Sequence, residues 1–441
     1  MILHNASLIT FWDSEPFIEA ALVAIEGKTI VDFGKLGKLI DKYDDPETFD
    51  LGGRVVMPGL INAHAHLYSS LARGMPLKGE PPRNFREVLE KIWWRLDRAL
   101  TADDVYLSAL VGLLDSVRSG VTTVIDHHSS PGACPGSLDA IWRAFAELGV
   151  RGCLAYEVSD RDGEAAAAAG IDENCRFLER CRVSHSEMMA GLFGLHASFT
   201  LSDATLARAL VCARGVSAGF HVHLAEDACD LEAARSKYAR SPVVRLAEAG
   251  VLNEASLAAH CIHLLPSDPA RLKETKAWVV HNPQSNAANA VGTADILQLS
   301  RQGVSLALGT DGFSPSIFEE FRAAALHQRM RAGEPAVAME EAHRAAFLGN
   351  ADLATSIFGP PLGRIKPGAR ADLMVIDYRP PTPLTKDNLL GHLFFGISRA
   401  PLSMVLVNGK VVYRDGFFPG LDEGRIRAEA QRAAVKLWER M

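Results

Sequence analysis

Eight short apolar segments in the middle of the chain each end in a histidine or an acidic residue. In chain order, these segments end near His66, His127, Glu157, His196, His223, His260, His281 and Asp311. Longer helical stretches lie between them, and this alternation predicts βα units that build a parallel sheet. A doubly wound open sheet would gather its polar groups at one switch point. Because polar groups follow every segment, we predict an α/β fold of the (β/α)8 TIM barrel type, in which the strand ends carry the active site.

The two ends of the chain have a different pattern. Residues 1–57 contain β-type stretches such as ALVAIEGKTIVDFG, and the C-terminal part contains ADLMVIDY and SMVLVNGKVVYRDG. The pair Asn408-Gly409 between two apolar alternations is a strong hairpin signal. We therefore predict a small composite β-sandwich domain from residues 1–57 and 361–441, and a barrel domain from residues 58–360.

The composition is that of an ordinary globular enzyme, with 48% hydrophobic and 22% charged residues among 441. The formal net charge is −7, and the basic residues are spread along the chain, so no basic surface is expected for a nucleic acid. The N-terminal sequence has no secretory leader, and no uncharged apolar run reaches the ~18 residues of a membrane span. We therefore expect a cytoplasmic protein that binds neither nucleic acid nor membrane.

The seven cysteines are an odd number, and none of them forms a CxxC pair. This spacing argues against a disulfide framework and against a cysteine-type structural zinc site. We expect most of the thiols to be reduced and buried.

Two histidine pairs have the spacing of metal ligands. Residues i and i+2 of a strand face the same side, so His64 and His66 in INAHAHLYSS point to one place. The segment GFHVHLAED offers His221 and His223 at the same spacing, and the spacing alone does not choose between them. Asp311 in LALGTDG adds a carboxylate. Three histidines and one aspartate suit a single divalent cation, Zn²⁺ first and Fe²⁺ second, with a position open for water.

Hydrolysis also needs a proton acceptor and a proton donor. Asp311 can take a proton from water, and Glu226, just beyond the fifth strand, can give one to a leaving nitrogen. His260 at the end of the sixth strand is a candidate to polarise an oxygen or to orient the water. The alternative for His260 is a hydrogen-bonded core histidine.

The ordered motifs PGLINAHAHLYSSLARG, HLAE, AAHCIHL, VHNPQSN and LGTDG resemble those of the amidohydrolase superfamily. The resemblance is to its cytosine, guanine and S-adenosylhomocysteine deaminase and chlorohydrolase-like branch, and it covers nearly the whole chain. A narrower resemblance is to the SsnA-type aminohydrolases, through IWWRLDRAL, TTVIDHHSSPGACPGSL and PTPLTKDNLLGHLFFG. The superfamily also implies a (β/α)8 barrel with a composite β domain, and a homodimer.

Carried over by position, the superfamily's metal ligands match His64, His66, His223 and Asp311. The same resemblance makes Glu226 the acid of the HLxE element and places His260 near a substrate oxygen. Binuclear members use a carboxylated lysine or a glutamate on strand three or four. Since AGLFGLHASFT contains no lysine, one metal ion is implied, and Glu157 on strand three is the residue that argues otherwise.

Four further residues are candidate substrate contacts. The VIDHH element resembles that of 8-oxoguanine and isocytosine deaminases, which implies that His127 or His128 faces the pocket. His196 matches a substrate-contacting histidine of the deaminase branch. Arg73 in SLARG is a candidate to orient a polar ring substituent. For the three histidines, a purely structural role is the alternative.

The pair Trp93-Trp94 lies in the amphipathic stretch FREVLEKIWWRLDRAL. In such a pattern, aromatic residues more often belong to a core or an interface than to a stacking platform, and we predict the former. The loop of residues 73–83 before it is long enough to form a lid.

These observations predict a metal-dependent aminohydrolase that removes an amine from a nitrogen heterocycle such as a purine or a pyrimidine. The same residues could open a cyclic amide or urea-like ring, or displace chloride, since each reaction needs only activated water and a proton donor. An alternative from a different functional class is a relative that binds metal but has no catalytic activity.

Overall fold

The computed structural model describes residues 1–39, 42–43 and 47–441. Its strands are β1 (Ile2–Ile9), β2 (Phe17–Glu26), β3 (Thr29–Lys35), β4 (Thr48–Asp50), β5 (Val55–Pro58), β6 (Leu60–Ala65), β7 (Val121–His128), β8 (Arg151–Tyr156), β9 (Met189–Gly191), β10 (Phe193–Ala197), β11 (Phe220–Leu224), β12 (Leu257–His260), β13 (Trp278–His281), β14 (Leu306–Leu308), β15 (Leu373–Ile376), β16 (Leu402–Val407) and β17 (Lys410–Arg414).

Helices separate most of the central strands. They are α1 (Leu36–Leu39), α2 (Phe85–Val88), α3 (Trp94–Ala99), α4 (Ala102–Arg118), α5 (Ser137–Leu148), α6 (Glu164–Ser184), α7 (Asp203–Gly215), α8 (Ala228–Tyr238), α9 (Pro242–Ala249), α10 (Asp268–Thr275), α11 (Pro283–Ala288), α12 (Ile296–Arg301), α13 (Ile317–Ala332), α14 (Met339–His343), α15 (Asn350–Phe358), α16 (Leu389–Phe395) and α17 (Glu423–Arg440). Single π-type turns cover Leu89–Trp93 and Arg344–Gly349. Shorter 3₁₀ turns cover Leu67–Ala72, Pro131–Ala133, Ser198–Thr200 and Ile397–Arg399.

Strands from both ends of the chain form one mixed sheet, in the order β17-β16-β15-β5-β1-β2-β3, with β4 beside β1. The N- and C-terminal parts meet where β5 pairs antiparallel with β15. The expected hairpin is present, since Asn408 and Gly409 have φ of 48° and 73° between β16 and β17. The sandwich that we expected is therefore seen as a single sheet in the part of the chain that the structure describes.

The central strands are parallel and form two sheets, β6-β7-β8-β9 and β10-β11-β12-β13-β14. Isolated parallel bridges connect them on both sides, between Ala65 and Asp311 and between Val158 and Leu195. The eight predicted strands are all observed, and β9 is a short additional one. The carboxyl ends of these strands carry the polar residues that the sequence analysis singled out.

Local signals in the sequence explain the boundaries of α4. Thr101 and Asp104 form the capping box that its N-terminus predicts, with the Asp104 N–H donating to Thr101 Oγ1 at 3.3 Å and the Thr101 N–H donating to Asp104 Oδ2 at 2.9 Å. The helix ends before Gly120, whose φ of 82° is the left-handed conformation that favours glycine after a helix.

A buried ion pair joins the terminal sheet to the central strands. Arg151 on β8 pairs with Asp372, next to β15, and both side chains are fully buried. Arg151 Nη2 also donates to Asn408 Oδ1 at 2.7 Å. A pair buried this deeply is costly to break, because a lone charge would remain in the core.

The cysteines depart in part from the expectation. Cys175 on α6 and Cys212 on α7 form a disulfide, whereas five cysteines are free and three of those are buried. The pairing joins neighbouring helices far apart in sequence, which is why spacing did not indicate it. None of the described helices has the length and apolar character that a membrane crossing needs.

Candidate active site

The two histidines of the HxH motif lie at the end of β6 and are buried. His64 Nδ1 is 2.8 Å from His221 Nε2, which occupies the equivalent inner position on β11. The Nε2 atom of His64 has no hydrogen-bond partner among the described residues. His221 is therefore a neighbour that orients His64, and the outer histidine of β11 is the one beside the open site.

His66 and His223 face each other in a way that, for neutral rings, places the proton on Nδ1 and turns both Nε2 lone pairs toward each other. His66 Nδ1 donates to the carbonyl oxygen of His127 at 2.6 Å, and His223 Nδ1 donates to that of His196 at 2.8 Å. A carbonyl oxygen can only accept, so each ring keeps its proton on Nδ1 and a lone pair on Nε2. The two Nε2 atoms nevertheless lie 3.1 Å apart.

Asp311 completes this cluster from the end of the last strand. Its Oδ1 is 3.0 Å from His66 Nε2 and 4.0 Å from His64 Nε2. Its Oδ2 accepts a hydrogen bond from Ser285 Oγ at 2.6 Å, which fixes the carboxylate. The backbone of Asp311 has a φ of 56°, a left-handed conformation that non-glycine residues adopt mainly where the surrounding structure requires it.

A glycine allows the last strand to come this close to β6. A Cβ atom on Gly309 would lie 2.6 Å from the Cβ of His64 and 2.6 Å from Asn282 Oδ1. Any larger residue at this position would push His64 or its strand away.

Glu226 and His260 lie together beside Asp311. His260 Nε2 is 3.5 Å from Glu226 Oε2 and 3.8 Å from Asp311 Oδ2. His260 Nδ1 contacts Asn286 Oδ1 at 2.7 Å, so this nitrogen carries the proton and Nε2 is free to accept. Burial raises the pKa of Glu226 well above its ordinary value, with a further contribution from the nearby Asp311. The protonated form of Glu226 is thus favoured, as a proton donor requires.

The two histidines of the VIDHH element have different surroundings, and both are buried. His127 stacks on His221 with ring centroids 4.2 Å apart and has a nitrogen within 4.8 Å of the nitrogens of His64, His66 and His223. His128 turns to the other side, where its Nε2 contacts Ser130 Oγ at 2.7 Å. The structure therefore brings His127 beneath the cluster and keeps His128 outside it.

His196 and Arg73, the other two predicted substrate contacts, are also far apart. His196 lines the main cavity, and its Nδ1 contacts Thr200 Oγ1 at 2.8 Å. Arg73 lines a neighbouring cavity of about 650 Å³, where it pairs with Asp115 at 2.8 Å and keeps 63% of its side chain exposed.

The main cavity lies above the cluster and has a volume of about 300 Å³. Its floor includes His66, His223 and Asp311. Trp93 and Trp94 pack against apolar residues, as the expected core or interface position requires, and they also form part of the cavity wall. An amphipathic pattern identifies an apolar face, but it does not tell whether that face covers a core or a cavity.

Arg161 is a cavity residue that the sequence analysis missed. Its guanidinium pairs with the buried Asp97 and with Asp162, donates to Ser129 Oγ at 2.8 Å, and lies 5.3 Å from the ring centre of Trp94. Burial raises the pKa of Asp97 to about 6, although the nearby Arg161 acts in the opposite direction. No local motif surrounds Arg161, so only the fold could reveal it.

Comparison with known proteins agrees with this geometry. The profile of the amidohydrolase family matches residues 55–412. The chain belongs to the amidohydrolase family. It is accordingly a hydrolase that acts on carbon–nitrogen bonds other than peptide bonds, as deaminase relatives also indicate.

Two curated relatives of this amidohydrolase match along almost their whole length. A 5-methylthioadenosine/S-adenosylhomocysteine deaminase of Pelotomaculum thermopropionicum is 31% identical, over 100% of this chain and 99% of the relative. A 5'-deoxyadenosine deaminase of Methanosarcina mazei is 30% identical, over 100% and 99%. Among solved structures, an adenosine deaminase from Xanthomonas campestris with bound zinc superposes with a TM-score of 0.88 at 23% identity, covering 99% of this chain and 98% of that one. The similarity to this solved structure shows a shared fold only.

The side chains of the amidohydrolase cluster fit a divalent cation. Two lone pairs that face each other at 3.1 Å repel unless a positive charge lies near both, and the carboxylate of Asp311 adds a third donor. His64 contributes a buried Nε2 that has no partner within the described residues. Histidines that bind metal usually donate their other ring N–H to a carbonyl oxygen, as His66 and His223 do.

Proposed function

We propose that this amidohydrolase removes an amino group from a nitrogen heterocycle and that it depends on one divalent cation, zinc in preference to iron. The observation that supports this most is that His66 Nε2 lies 3.1 Å from His223 Nε2 and 3.0 Å from Asp311 Oδ1, beside the Glu226 and His260 pair. The printed names of the deaminase relatives support the same reaction.

His64, His66, His223 and Asp311 would hold the cation. A bound divalent cation acts as a Lewis acid, which lowers the pKa of water to roughly 7 and so supplies a nucleophile at neutral pH. The set of three imidazoles and one carboxylate suits zinc and also iron.

The remaining steps are proton transfers by this chain's own side chains. Asp311 accepts the proton of the attacking water, and Ser285 keeps its carboxylate in place. His260 orients the water, because its Nε2 is free to accept a hydrogen bond. Glu226, whose protonated form burial favours, donates to the ring nitrogen beside the attacked carbon. Asp311 then passes the proton it accepted to the amino group as the carbon–nitrogen bond breaks, and the hydroxyl proton returns to Glu226. The products are ammonia and the oxo form of the ring.

The closed barrel and the domain boundaries are part of the same proposal. We propose that the two central sheets form one (β/α)8 barrel, and that residues 58–360 make up this barrel domain. Residues 1–57 and 361–441 would form the small domain. A cytoplasmic location, a homodimer and the absence of a nucleic-acid partner stay predictions, as does the narrower resemblance to SsnA-type enzymes.

The test is metal analysis followed by a screen for ammonia release. Protein expressed with ample zinc and iron should contain about one metal ion per chain, as the single cluster predicts. It should then release ammonia from at least one member of a panel of purines, pyrimidines and their nucleosides. Substrate consumption without ammonia would instead indicate ring opening, and chloride release would indicate a chlorohydrolase. Protein without metal and without turnover would indicate a non-catalytic relative.

A further inference from the structure

Glu157 is a buried carboxylate in the cavity wall that receives no hydrogen bond. It follows β8 and is only 4% exposed. Its Oε1 lies 3.3 Å from His66 Nδ1 and 3.6 Å from His127 Nδ1, and its Oε2 lies 4.0 Å from His196 Nε2. The Nδ1 proton of His66 already donates to the carbonyl oxygen of His127. Among the described residues, no side chain makes a hydrogen bond to Glu157; its Oε1 is enclosed beside the two imidazoles, and because the residue lines the cavity, Oε2 is the oxygen left for a ligand.

Other buried acids around the cavity are satisfied by the protein. Asp230 accepts the backbone N–H groups of Phe199 and Ala225 at 3.1 and 2.9 Å. Burying a carboxylate without hydrogen bonds is costly, and such groups are rare in native proteins. A ligand in the cavity is the natural source of the missing donor for Glu157.

One part of the cavity wall is apolar and aromatic. The segment Phe85–Trp94 contributes only Phe85, Leu89, Trp93 and Trp94 to the lining. Its two acids turn away, since Glu87 pairs with Lys91 at 2.7 Å and Glu90 pairs with Arg86 at 2.9 Å. The hydroxyl groups of a ribose would lose their hydrogen bonds to water against this wall and gain none. A flat ring, in contrast, gains apolar and aromatic contacts there.

We propose that Glu157 accepts the ring N–H of a free heterocyclic base and thereby selects bases over nucleosides. In a nucleoside, this nitrogen carries the sugar and has no hydrogen to donate. The aromatic segment Phe85–Trp94 offers the ring apolar and aromatic contacts. This inference rests on the proposed function, because it names the substrate class of the same site. A site that is built around one N–H can discriminate against an analogue without it by on the order of 10⁴-fold.

The test compares each base with its N-methylated and ribosylated forms. Guanine, 9-methylguanine and guanosine form one set, and cytosine, 1-methylcytosine and cytidine form the other. Of guanine and cytosine, one will be the better substrate. For that base, the wild-type enzyme should have a much larger kcat/KM than for its methylated or its ribosylated form. Glu157→Leu removes the acceptor and should lower kcat/KM for that base by roughly 10- to 100-fold. Glu157→Gln keeps one acceptor oxygen and should recover part of the loss.

The methylated derivative, which has no ring N–H, is the internal control. The kcat/KM for this derivative should differ less than about threefold between wild type and the two variants, because the derivative has no hydrogen to donate to the Glu157 carboxylate. Glu320→Gln is a matched control, since Glu320 is equally buried but accepts hydrogen bonds from Gln284 and lies outside the cavity lining. That change should affect the base and its methylated form by the same factor.

Three results would overturn the proposal, and metal analysis of every variant distinguishes them. A loss of metal in both Glu157 variants would make Glu157 a ligand, together with His196 and His223, whose donor atoms lie within 4.8 Å of its carboxylate. A wild-type preference for guanosine, cytidine or 5'-methylthioadenosine over the bases would refute the inference and leave the deaminase function intact. Fully metal-loaded protein that releases no ammonia from any compound would refute the proposed function, and the inference with it.

Discussion

The Nε2 atoms of His66 and His223 lie 3.1 Å apart, and both Nδ1 atoms donate to backbone carbonyl oxygens, so in the neutral rings neither Nε2 carries a proton. Two such neutral rings repel unless a positive charge lies near both Nε2 atoms, so a bound metal ion should contribute to the stability of the fold. We expect removal of the metal by a chelator to lower the free energy of unfolding by about 3–4 kcal/mol, as for a ligand present at several hundred times its Kd. Denaturant titration with and without the chelator measures this. In His223→Gln, where the pair is broken, the chelator should have little effect.

Glu226→Gln tests the proton donor. The amide of glutamine cannot replace the acidic proton of this carboxyl group, whose protonated form burial favours. We expect kcat to fall by roughly 10²- to 10⁴-fold while the metal content stays the same. Steady-state kinetics on the best substrate of the screen, with metal analysis of the same sample, provide the measurement. Full activity in this variant would assign the proton transfer to another group.

Gly309→Ala tests the close approach of the last strand to β6. The added Cβ would lie 2.6 Å from the Cβ of His64, so the ligand must shift. We expect a loss of about 1–3 kcal/mol in unfolding free energy and a metal affinity weakened by roughly 10- to 100-fold. Gly215→Ala at the end of α7 is the control, because no atom lies within 4 Å of its added Cβ. If both variants bound metal equally well, the contact would have no role in placing His64.

The pH dependence of stability tests the burial of Asp97. Its pKa rises from 3.8 unfolded to about 6 in the fold, chiefly through burial. The folded state therefore holds this proton more tightly, and the stability that the group contributes is complete below pH 4 and is lost as the pH rises to about 6. By linkage, the loss amounts to about 3 kcal/mol.

The matched variant is Asp97→Asn, which cannot titrate. Denaturant titrations from pH 4 to pH 7 give the unfolding free energy of each protein, and subtracting one from the other cancels the titration of all other groups. As the pH rises, the wild type should lose about 3 kcal/mol of unfolding free energy relative to Asp97→Asn. A difference that does not change with pH would mean that Asp97 keeps an ordinary pKa beside Arg161.

The sequence predicted the strands and the cluster because each depends on a local pattern. Short apolar segments fix the strands, and the ends of parallel strands meet on one side of a sheet, so His64, His66, His223 and Asp311 had to come close. Strand periodicity could not choose between His221 and His223, because both point to the same side. The difference between them is depth along the strand, which only the packed structure gives.

The features that the sequence did not predict arise from long-range packing. Arg161 and Asp97 come from different elements, and no spacing connects them. The cavity position of Trp93 and Trp94 depends on how their segment crosses the strand ends. The Cys175–Cys212 pair depends on two helices lying side by side.

The pairing of β5 with β15 has a consequence for the synthesis of the protein. Val55–Pro58 leaves the ribosome more than 300 residues before Leu373–Ile376. At typical rates of translation, the edge of β5 stays open for on the order of 15 to 60 s. An unpaired edge of buried, apolar residues can pair with other chains. Nascent chains should therefore be most prone to aggregation, and most dependent on chaperones, until the last seventy or so residues emerge.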